Sequence, residues 1–290
     1  MKTFRDKVVV VTGVGSGIGK ALAIQLDSLG AKLAINDYDK SSLDATNAVL
    51  KQDTYCEDFD VADKEAFYRF AENVYNHYGQ VDCIINNAGV ALSSVSTENL
   101  SYNDFDWIMG INFWGMVYGT KAFLPYIKKQ TEGSITNVSS IFGITGIAYQ
   151  TAYCTTKFAI RGFTESLRME MHHESPHVII SSVHPGGIKT NIARSSKTPE
   201  GHEATDEKVF DEMMEEIDKA FITSPEKAAD VIITGIMKKK ERILIGPDAT
   251  RADRIVRLFP SKYTDIILKH SSFIAPEQKE SVSRKEDEKV

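Results

Sequence analysis

Tyr153 and Lys157 stand four positions apart, inside a stretch with helical patterning that runs to about His172. Positions i and i+4 share one face of a helix, so the phenol and the ammonium project to the same side. Lowering a tyrosine pKa from about 10 to about 7 takes about 4 kcal/mol, and a lysine charge about 4–5 Å away supplies roughly that much at an effective dielectric of about 20. The pair predicts a tyrosine that exchanges protons near neutral pH, although this spacing alone also occurs by chance on surface helices.

Glycines follow a fixed spacing in Thr12–Gly19, directly after a run of four valines. Gly13, Gly17 and Gly19 form Gly-x-x-x-Gly-x-Gly, whereas no register satisfies the six-residue pattern Gly-x-Gly-x-x-Gly. Glycines between a strand and a helix allow a tight turn and let backbone amides approach an anion at the helix N-terminus. A bare glycine cluster favours an ordinary turn, but its place after the first strand of a βαβ pattern favours a site for a dinucleotide pyrophosphate.

Asp37 stands 18 residues after Gly19, at the end of the second β-rich run. A carboxylate at this point can accept hydrogen bonds from an adenosine ribose, and it repels a 2′-phosphate because like charges brought together are unfavourable. No arginine or lysine stands at 38 or 39. The pattern therefore predicts NAD as the cofactor, with NADP less favoured, and a simple turn residue is the alternative role for Asp37.

The elements that must position these residues alternate between short β-rich runs and longer helical patterns, which is typical of a parallel sheet with helices on both faces. The predicted strands are Val8–Val11, Lys32–Asn36, Thr54–Asp58, Val81–Asn86, Gly133–Val138, Val178–His184 and Arg242–Ile245. Helical patterns lie between them, at Lys20–Leu29 and at Asp63–Tyr78, where apolar residues recur at spacings of three and four. We therefore predict an α/β fold in which a doubly wound parallel sheet of seven strands forms a single domain.

Composition excludes several other classes of protein. The 290 residues are 42% hydrophobic and 26% charged, which argues against a disordered, collagen-like or disulfide-built chain. The formal net charge is −6, and because nucleic-acid binders usually carry a basic excess we expect no nucleic-acid partner. Three scattered cysteines, a polar start at Met1–Lys7 and apolar runs shorter than the ~20 residues that span a bilayer predict a reducing, cytoplasmic location.

Further motifs follow in a recognisable order along the same stretch. They are Asp60-Val61 after the third strand, Asn86-Asn87-Ala88-Gly89 after the fourth, Asn112 in a helix, Asn137-Val138-Ser139-Ser140, and Pro185-Gly186 with Thr190. Together with Thr12–Gly19 and the Tyr153/Lys157 pair, they make the chain resemble the short-chain dehydrogenase/reductase family over roughly Lys7 to Gly246. The resemblance implies a Rossmann-like fold and an NAD(P)-dependent oxidoreductase that acts on the CH–OH group of its donors.

By this resemblance, the catalytic residues are Asn112, Ser140, Tyr153 and Lys157. Tyr153 would exchange a proton with the substrate oxygen while hydride moves to or from C4 of the nicotinamide, and Ser140 would hydrogen-bond the same oxygen. Ser139 is the competing serine, but the thirteen-residue spacing to Tyr153 favours Ser140. Lys157 would hold the nicotinamide ribose and lower the pKa of the tyrosine, and Asn112 would position a water that passes the proton to solvent.

The resemblance also implies a set of cofactor-binding residues. Asp60 and Val61 would contact the adenine, and Thr190 would bond the nicotinamide carboxamide. The predicted set is Gly13, Ser16, Gly17, Ile18, Gly19, Asp37, Asp60, Val61, Asn87, Ala88, Gly89, Tyr153, Lys157, Pro185, Gly186, Ile188 and Thr190.

Structural roles compete with some of these assignments. Asn112 could cap or kink a helix, and Ser139 with Ser140 could form a turn at a strand end. Cys154 lies about 100° around the helix from Tyr153, which favours packing over redox chemistry. The histidines at 172, 173 and 177 form a local cluster, but Pro176 breaks the helix and no carboxylate or cysteine completes a metal shell, so we predict no metal.

The predicted domain covers residues 1–248, with a substrate-lid insertion at 191–222, and is followed by an amphipathic helical extension at 249–274 and a disordered charged tail at 275–290. The insertion is polar and has little to pack on before a ligand arrives, which predicts a mobile lid. Three interpretations of the extension stay open: an interface or lid helix pair, ordinary core packing and, less favoured, a peripheral membrane contact.

Three loops are expected near the nicotinamide, at Val90–Asn99, Ile141–Gln150 and Gly186–Phe221. The second is apolar, so the predicted substrate is a small hydrophobic secondary alcohol or its ketone, of the steroid, lipid or aromatic carbinol type. The alternatives are an NADP-dependent carbonyl reductase and, less favoured because the catalytic residues are all present, a non-catalytic NAD-binding scaffold. Members of the family are usually dimers or tetramers, so we expect a homodimer or homotetramer.

Overall fold

The computed structural model describes residues 1–203 and 206–270, which form one seven-stranded sheet with helices on both faces. The strands are β1 (Val8–Thr12), β2 (Lys32–Asp37), β3 (Thr54–Asp58), β4 (Cys83–Asn86), β5 (Gly133–Val138), β6 (Val178–Pro185) and β7 (Arg242–Ile245). They are parallel throughout and lie in the order β3-β2-β1-β4-β5-β6-β7. The predicted doubly wound parallel sheet is confirmed, and its order reverses between β1 and β4, where such sheets open a crevice for ligands at their carboxyl ends.

Helices cover both faces of the sheet. They are α1 (Gly17–Ser28), α2 (Lys40–Asn47), α3 (Lys64–Tyr78), α4 (Tyr102–Met109), α5 (Gly115–Ile127), α6 (Thr151–Glu174), α7 (Glu207–Ala220), α8 (Pro225–Met237), α9 (Pro247–Leu258) and α10 (Tyr263–His270). A π-helical turn at Gly110–Trp114 joins α4 to α5, and a 3-10 turn at Ile141–Gly143 follows β5. These two short turns place residues of the candidate site, as described below.

Strand β1, which is four valines followed by Thr12, lies at the centre of the core. Successive strand residues point to opposite faces, so Val9 and Val11 pack in the core layer that contains α1 and α8, whereas Val8 and Val10 pack in the layer of α3, α5 and α6. Phe67 of α3 is fully buried in the second layer. A strand that is buried on both faces requires a continuous apolar run, which is why β1 lacks the alternating pattern of a half-exposed strand.

The element boundaries differ slightly from the sequence prediction. α1 begins at Gly17, three residues before the predicted Lys20, because Ser16 has extended backbone and serves as the N-cap. β4 begins at Cys83 and not at Val81. Asp82 instead binds the start of β1, since its carboxylate accepts hydrogen bonds from the Val8 N–H and the Lys7 ammonium, both at 2.9 Å.

The C-terminal helices follow directly after the last strand. Ala249 and Ala252 of α9 are buried, whereas Leu258 and Phe259 at its end are 72% and 48% exposed. Residues 271–274 of the predicted extension and the whole predicted tail at 275–290 lie outside the described residues. Over residues 1–203 and 206–270, no helix combines the length and the apolar character that crossing a bilayer requires.

Candidate active site

The glycine loop lies tightly against the end of β4. Gly13 has φ +69°, and a Cβ there would lie 2.7 Å from the Ala88 Cα. The Thr12 hydroxyl oxygen accepts hydrogen bonds from the N–H groups of Asn87 and Ala88, both at 3.1 Å. The Asn87 side-chain amide donates to the carbonyls of Thr12 and Gly13, at 2.9 and 3.1 Å. The structure thus brings together two predicted cofactor-binding segments that lie about seventy residues apart in the sequence.

The N-terminus of α1 points its first backbone amides towards the same crevice. Ser16 is the N-cap, and its side chain makes no capping hydrogen bond to the helix. The N–H groups of Ile18 and Gly19 in this first turn are therefore suited to an anion, as is the positive end of the helix dipole. The methyl group of Thr190 lies 3.0 Å from where a Cβ on Gly17 would stand, so the predicted residues from the glycine loop and from the segment after β6 meet here.

Asp37 ends β2 directly beside the glycine loop. Its side chain is 8% exposed, and its carboxylate oxygens accept hydrogen bonds from the Gly15 N–H at 2.7 Å and the Asp39 N–H at 3.0 Å. The turn role that the sequence left as an alternative is therefore present in the structure. A ribose contact for the same carboxylate stays a prediction.

Asp60 and Val61 follow β3 on the adenine side of the predicted site. The exposed Asp60 carboxylate accepts a hydrogen bond from the Ala62 N–H at 2.9 Å, within its own turn. Val61 is buried, and a Cβ on Gly115 of α5 would lie 2.8 Å from its side chain. The Val61 side chain packs against α5, so an adenine contact by this residue would involve its backbone.

The four predicted catalytic residues converge at the start of α6. The Lys157 side chain is 3% exposed, its Nζ donates to the Val138 carbonyl at 3.3 Å and it stands 5.4 Å from the centre of the Tyr153 ring. The Ser140 hydroxyl lies close enough to the Tyr153 phenol to act on its pKa. A Cβ on Gly89 would lie 3.3 Å from both the Lys157 Nζ and the Asn112 Oδ1, so the absence of a side chain at Gly89 leaves a notch between these polar groups.

Burial dominates the electrostatics of Tyr153 and Lys157. It raises the pKa of Tyr153 to about 12, although the Ser140 hydroxyl acts in the opposite direction. It lowers the pKa of Lys157 to about 8. In the protein chain by itself, the desolvation of both groups therefore outweighs the attraction that was expected to bring the tyrosine pKa towards neutrality, and the further effect of a bound nicotinamide stays a prediction.

The two neighbouring serines have different contacts. The Ser139 hydroxyl is buried and donates to the Lys157 carbonyl of α6 at 2.7 Å. The Ser140 oxygen accepts a hydrogen bond from the Phe142 N–H at 3.1 Å and faces Tyr153. Ser139 therefore joins β5 to α6, and Ser140 is the serine whose hydroxyl lies beside the phenol.

Asn112 lies in the π-helical turn Gly110–Trp114. Its side-chain oxygen accepts from the Val90 N–H at 2.8 Å, and its amide donates to the Val90 carbonyl at 3.0 Å and to the Thr156 hydroxyl at 3.2 Å. The side chain is thus fully used in joining the loop after β4 to α6. A π turn interrupts the regular hydrogen bonding of a helix and is frequent at functional sites. Because the side chain is already used, a water held by Asn112 would bind its main-chain carbonyl.

The segment Pro185–Thr190 is held by elements from the end of the chain. The Gly187 N–H donates to the Asp248 carboxylate at 2.6 Å, and the buried Ile188 forms a bridge with Thr223. Gly186 packs so closely on the same carboxylate that a Cβ would collide with it. Asp248, in the first turn of α9, is a supporting residue that the sequence analysis missed.

A small cleft lies beside Tyr153 where two of the predicted substrate loops meet. Its lining residues are Leu92, Ser93, Val95, Leu100, Tyr149, Gln150, Thr151, Ala152 and Tyr153. Phe142, from the apolar loop, stands edge-on to the Tyr153 ring at 6.2 Å between centroids. The third loop reaches this cleft through a backbone bridge between Leu92 and Lys197.

The first part of the insertion is fixed to α4 by a buried carboxylate. Asp104 is fully buried, and its oxygens accept hydrogen bonds from the Lys197 ammonium and the Glu200 N–H, both at 2.7 Å. Burial alone would raise the pKa of Asp104, but these bonds and one from Ser101 outweigh it and lower the pKa. The expectation that the insertion has little to pack on is therefore wrong for residues 197–200, because a helix distant in sequence supplies the partner.

Comparison with known proteins agrees with this geometry. A family model described as short chain dehydrogenase matches residues 7–201. The chain belongs to the short-chain dehydrogenase/reductase family. SadH of Mycobacterium tuberculosis, which is named as an oxidoreductase, is 39% identical over 274 residues, covering 92% of this chain and 96% of SadH. Levodione reductase of Leifsonia aquatica is 30% identical over 198 residues, covering 67% of this chain and 73% of the reductase.

A solved structure gives the same result. A short-chain dehydrogenase/reductase from Burkholderia phymatum in complex with NAD matches this fold with a TM-score of 0.80 at 25% identity, and the match covers 93% of this chain and 98% of that one. The protein is therefore an NAD(P)-dependent oxidoreductase of the short-chain dehydrogenase/reductase family.

In this short-chain dehydrogenase/reductase the histidines near the end of α6 have structural partners. His172 Nε2 lies 2.6 Å from the Glu241 carboxylate, and His177 Nε2 lies 3.1 Å from the Lys128 carbonyl. Across the part of the chain that the structure describes, no group of three or more histidine, cysteine or acidic side chains could hold a metal ion.

Proposed function

We propose that this short-chain dehydrogenase/reductase transfers a hydride between NAD and a hydrophobic secondary alcohol or its ketone, of the steroid, lipid or aromatic carbinol type. The observation that carries the proposal is the convergence of Ser140, Tyr153 and Lys157 beside the notch at Gly89. A hydroxyl and a phenol that face one point can both bind a single substrate oxygen, which is the arrangement that carbonyl reduction and alcohol oxidation require.

The residues present fit a dinucleotide. Positive φ at Gly13 and Gly17 turns the loop sharply, and the uncapped first turn of α1 presents amides to a pyrophosphate. Gly89 has no side chain to fill the space in front of the Lys157 ammonium, where a ribose would bind. When bound, the cofactor supplies the hydride acceptor or donor at C4 of its nicotinamide, and Thr190 and Pro185–Ile188 would border that ring.

The contacts of Asp37 support NAD as the preferred form. Its carboxylate accepts a hydrogen bond from the Gly15 N–H of the glycine loop. A 2′-phosphate on the adenosine ribose would therefore approach a negative charge. Lys40, the nearest basic residue after it, is 67% exposed and pairs with Asp44 and Asp58, so it is not held towards the ribose.

In this mechanism the chain's own residues bind the substrate oxygen and move its proton. The Ser140 hydroxyl and the Tyr153 phenol hydrogen-bond the oxygen, and Tyr153 takes the proton from an alcohol or gives it to a ketone. The Lys157 charge favours the phenolate that oxidation requires. Because the pKa of Tyr153 is about 12 in the chain by itself, the phenolate must gain further stabilisation in the assembled complex. The carbonyl at Asn112 would hold the water that exchanges this proton with solvent.

Hydride transfer can be followed by absorbance at 340 nm with NAD or NADP and a panel that contains 1-phenylethanol, cyclohexanol, long-chain secondary alcohols, sterols, polyols and sugars. We expect turnover with the hydrophobic alcohols. Tyr153→Phe should lower kcat by about 10²–10⁴-fold, the contribution of a general acid/base. The matched control is Tyr102→Phe, because Tyr102 is 90% exposed and does not line the cleft beside Tyr153. Full activity of Tyr153→Phe, or turnover of polyols and sugars alone, would refute the proposal.

A second experiment tests the cofactor preference. Asp37→Ala removes the charge that opposes the 2′-phosphate, so the ratio of kcat/KM for NADP to that for NAD should rise. Asp44→Ala, an exposed carboxylate in α2, is the control and should leave the ratio unchanged. An unchanged ratio in Asp37→Ala would contradict the NAD assignment.

The oligomeric state is part of the proposal. Trp114 in the π turn and Phe158 on α6 are 47% and 39% exposed, and Met169 further along α6 is 75% exposed. Large apolar side chains on this side of the molecule support a homodimer or homotetramer built on α5 and α6. Light scattering after size-exclusion chromatography should show a smaller species for Trp114→Glu than for the unmodified chain, and an unmodified chain that is monomeric would refute this part.

A further inference from the structure

His184 is a buried imidazole that no step of the proposed mechanism uses. It lies in β6 between Val183 and Pro185 and is fully buried. Both ring nitrogens have partners: Nδ1 lies 3.0 Å from the Ser140 carbonyl oxygen, and Nε2 is in hydrogen-bonding contact with the Ser182 hydroxyl. His184 therefore connects the sheet to the residue whose side chain faces Tyr153.

These partners determine the tautomer of His184. A carbonyl oxygen can only accept, so Nδ1 must carry the proton that it donates to Ser140. In a neutral imidazole Nε2 is then an acceptor, and the Ser182 hydroxyl donates to it. The hydrogen bonds run in one direction, from the Ser182 O–H to the His184 ring and from that ring to the Ser140 carbonyl.

The surroundings keep this ring neutral. Burial lowers the pKa of His184 to about 4 and outweighs the hydrogen bond to the Ser140 carbonyl, which acts in the opposite direction. The charges of Arg242 and Arg161 lower this pKa further, and Glu165 opposes them. Arg161 pairs with Glu165, and Arg242 pairs with both Glu165 and Asp253. The imidazole is thus a fixed neutral donor in the physiological pH range.

The Ser140 turn has one contact to its own chain at the carbonyl that His184 binds, because this oxygen also accepts a hydrogen bond from the Gly143 N–H at 3.0 Å. The Ser139 N–H donates to the Val183 carbonyl at 2.8 Å, which continues the ladder of the sheet. After it the chain leaves the sheet, and the Ser140 hydroxyl oxygen accepts from the Phe142 N–H. The His184 bond to the Ser140 carbonyl is therefore the contact that ties the peptide after Ser140 back to β6.

We propose that His184 is a positioning residue for Ser140, whose hydroxyl it holds against Tyr153 by donating its Nδ1–H to the Ser140 carbonyl. This inference rests on the proposed function, in which Ser140 and Tyr153 bind one substrate oxygen. Reacting groups must be placed closely, because a shift of about 1 Å can cost about 10²-fold in rate. His184 acts through Ser140 and touches neither the phenol nor Lys157 in the contacts above.

Two polar substitutions test the Nδ1–H bond to Ser140 independently of the contact that the other ring nitrogen makes with Ser182. In His184→Asn the side-chain amide can stand where Nδ1 stands and still donate to Ser140. In His184→Gln the longer side chain moves the amide towards the position of Nε2, so the bond to Ser140 is lost while a polar group still faces Ser182. With 1-phenylethanol and NAD, we expect kcat to fall about 10²-fold in His184→Gln and to stay within a few-fold in His184→Asn. The Kd for NADH, measured by fluorescence, should be unchanged in both.

A double-mutant cycle with Ser140→Ala distinguishes positioning from a general structural effect. Once the Ser140 hydroxyl is absent, His184→Gln should cost little further activity, because its effect acts through that hydroxyl. Multiplicative losses would overturn the proposal, as would equal losses in His184→Asn and His184→Gln. If Ser140→Ala alone kept full activity, the proposed role of Ser140 would fail, and the role of His184 with it. If Ser140→Ala were inactive and His184→Gln fully active, only the role of His184 would fail.

The tautomer provides a test that needs no turnover. The ¹⁵N spectrum of the unmodified chain, with the His184 signals assigned by their absence from His184→Asn, should show a neutral ring with the proton on Nδ1 throughout pH 6–8. The other six histidines are internal references. A proton on Nε2 would overturn the proposal whatever substrate the enzyme uses, and it would leave the assignment of Ser140 and Tyr153 unaffected.

Discussion

The cofactor side and the substrate side of this site are held by different kinds of contact. On the cofactor side, the glycine loop packs closely on the end of β4, with the Gly13 backbone directly against Ala88 and the Thr12 hydroxyl accepting two backbone N–H bonds. On the substrate side, the insertion has a short backbone bridge between Lys197 and Leu92, and its other contacts are side-chain ion pairs, from Lys197 to Asp104 and, within the insertion, from Arg194 to Asp218.

The difference has a physical consequence. On the cofactor side, the close contact between Gly13 and Ala88 leaves no room for an added side-chain atom. Side-chain contacts vary with burial, from the fully buried Asp104 to the Arg194–Asp218 pair, whose side chains are 40% and 55% exposed. We conclude that the cofactor side is rigid and sensitive to any change. The substrate side is graded, which means that its attachment weakens from the fixed residues 197–200 to the loosely attached α7.

The strongest test of the rigid side is Gly13→Ala. The new Cβ would stand 2.7 Å from the Ala88 Cα, and φ of +69° disfavours any L side chain. We expect the Kd for NADH to rise by about 10²-fold or more, since the loop must move away from β4. Gly162→Ala in α6 is the matched control, because nothing lies within 4 Å of its Cβ position, and it should bind NADH normally. Unchanged binding in Gly13→Ala would show that the loop is not rigid.

The next largest effect is expected for Asp104→Asn. It removes the charge that Lys197 binds and weakens the acceptor for the Glu200 N–H, and hydrogen bonds to charged groups contribute about 1.5–3 kcal/mol each. We expect the free energy of unfolding to fall by about 2 kcal/mol and the KM for the alcohol to rise, while the Kd for NADH stays unchanged. The control is Asp106→Asn, an exposed residue of the same helix. A rise in the Kd for NADH would show that the two sides are coupled.

The same carboxylate gives a pH dependence with a definite sign. The pKa of Asp104 is lowered in the folded protein, below the value of about 3.9 in an unfolded chain. Its contribution to stability is therefore fully present above about pH 4 and is lost as the pH falls through the folded-state pKa. The difference in unfolding free energy between the unmodified chain and Asp104→Asn, measured in urea, should be constant from pH 7 to 5 and should narrow below pH 4. A gap that widens on acidification would contradict this assignment.

The rigid side is also the part that could be predicted from the sequence. The seven strands, their parallel arrangement and the shared helix face of Tyr153 and Lys157 follow from local patterns, because strand periodicity and i to i+4 spacing are properties of short segments. The place of Ser140 beside them was implied by the family resemblance. The glycine loop could be predicted for the same reason, since the spacing of its glycines determines its backbone conformation. These features agree with the family to which the chain belongs.

What the sequence did not reveal depends on partners far apart in the chain. Asp104 and Lys197 are 93 positions apart, and His184 reaches Ser140 across 44 positions. Neither Asp104 nor His184 belongs to a motif, and each shows its role only once the fold has buried it. The raised pKa of Tyr153 has the same origin, because desolvation depends on everything that surrounds the ring.

The smallest expected effect tests the loosely attached end of the graded side. Arg194→Ala removes the ion pair with Asp218 that connects the start of the insertion to α7, but exposed pairs contribute only about 0–1 kcal/mol because water and salt screen them. We expect unfolding free energy to change by less than about 0.5 kcal/mol and the KM for the alcohol by less than about twofold, measured beside Asp104→Asn. An effect of Arg194→Ala as large as that of Asp104→Asn would mean that α7 is held as firmly as residues 197–200. Burial of the paired side chains would then no longer explain why one part of the substrate side is attached more firmly than another.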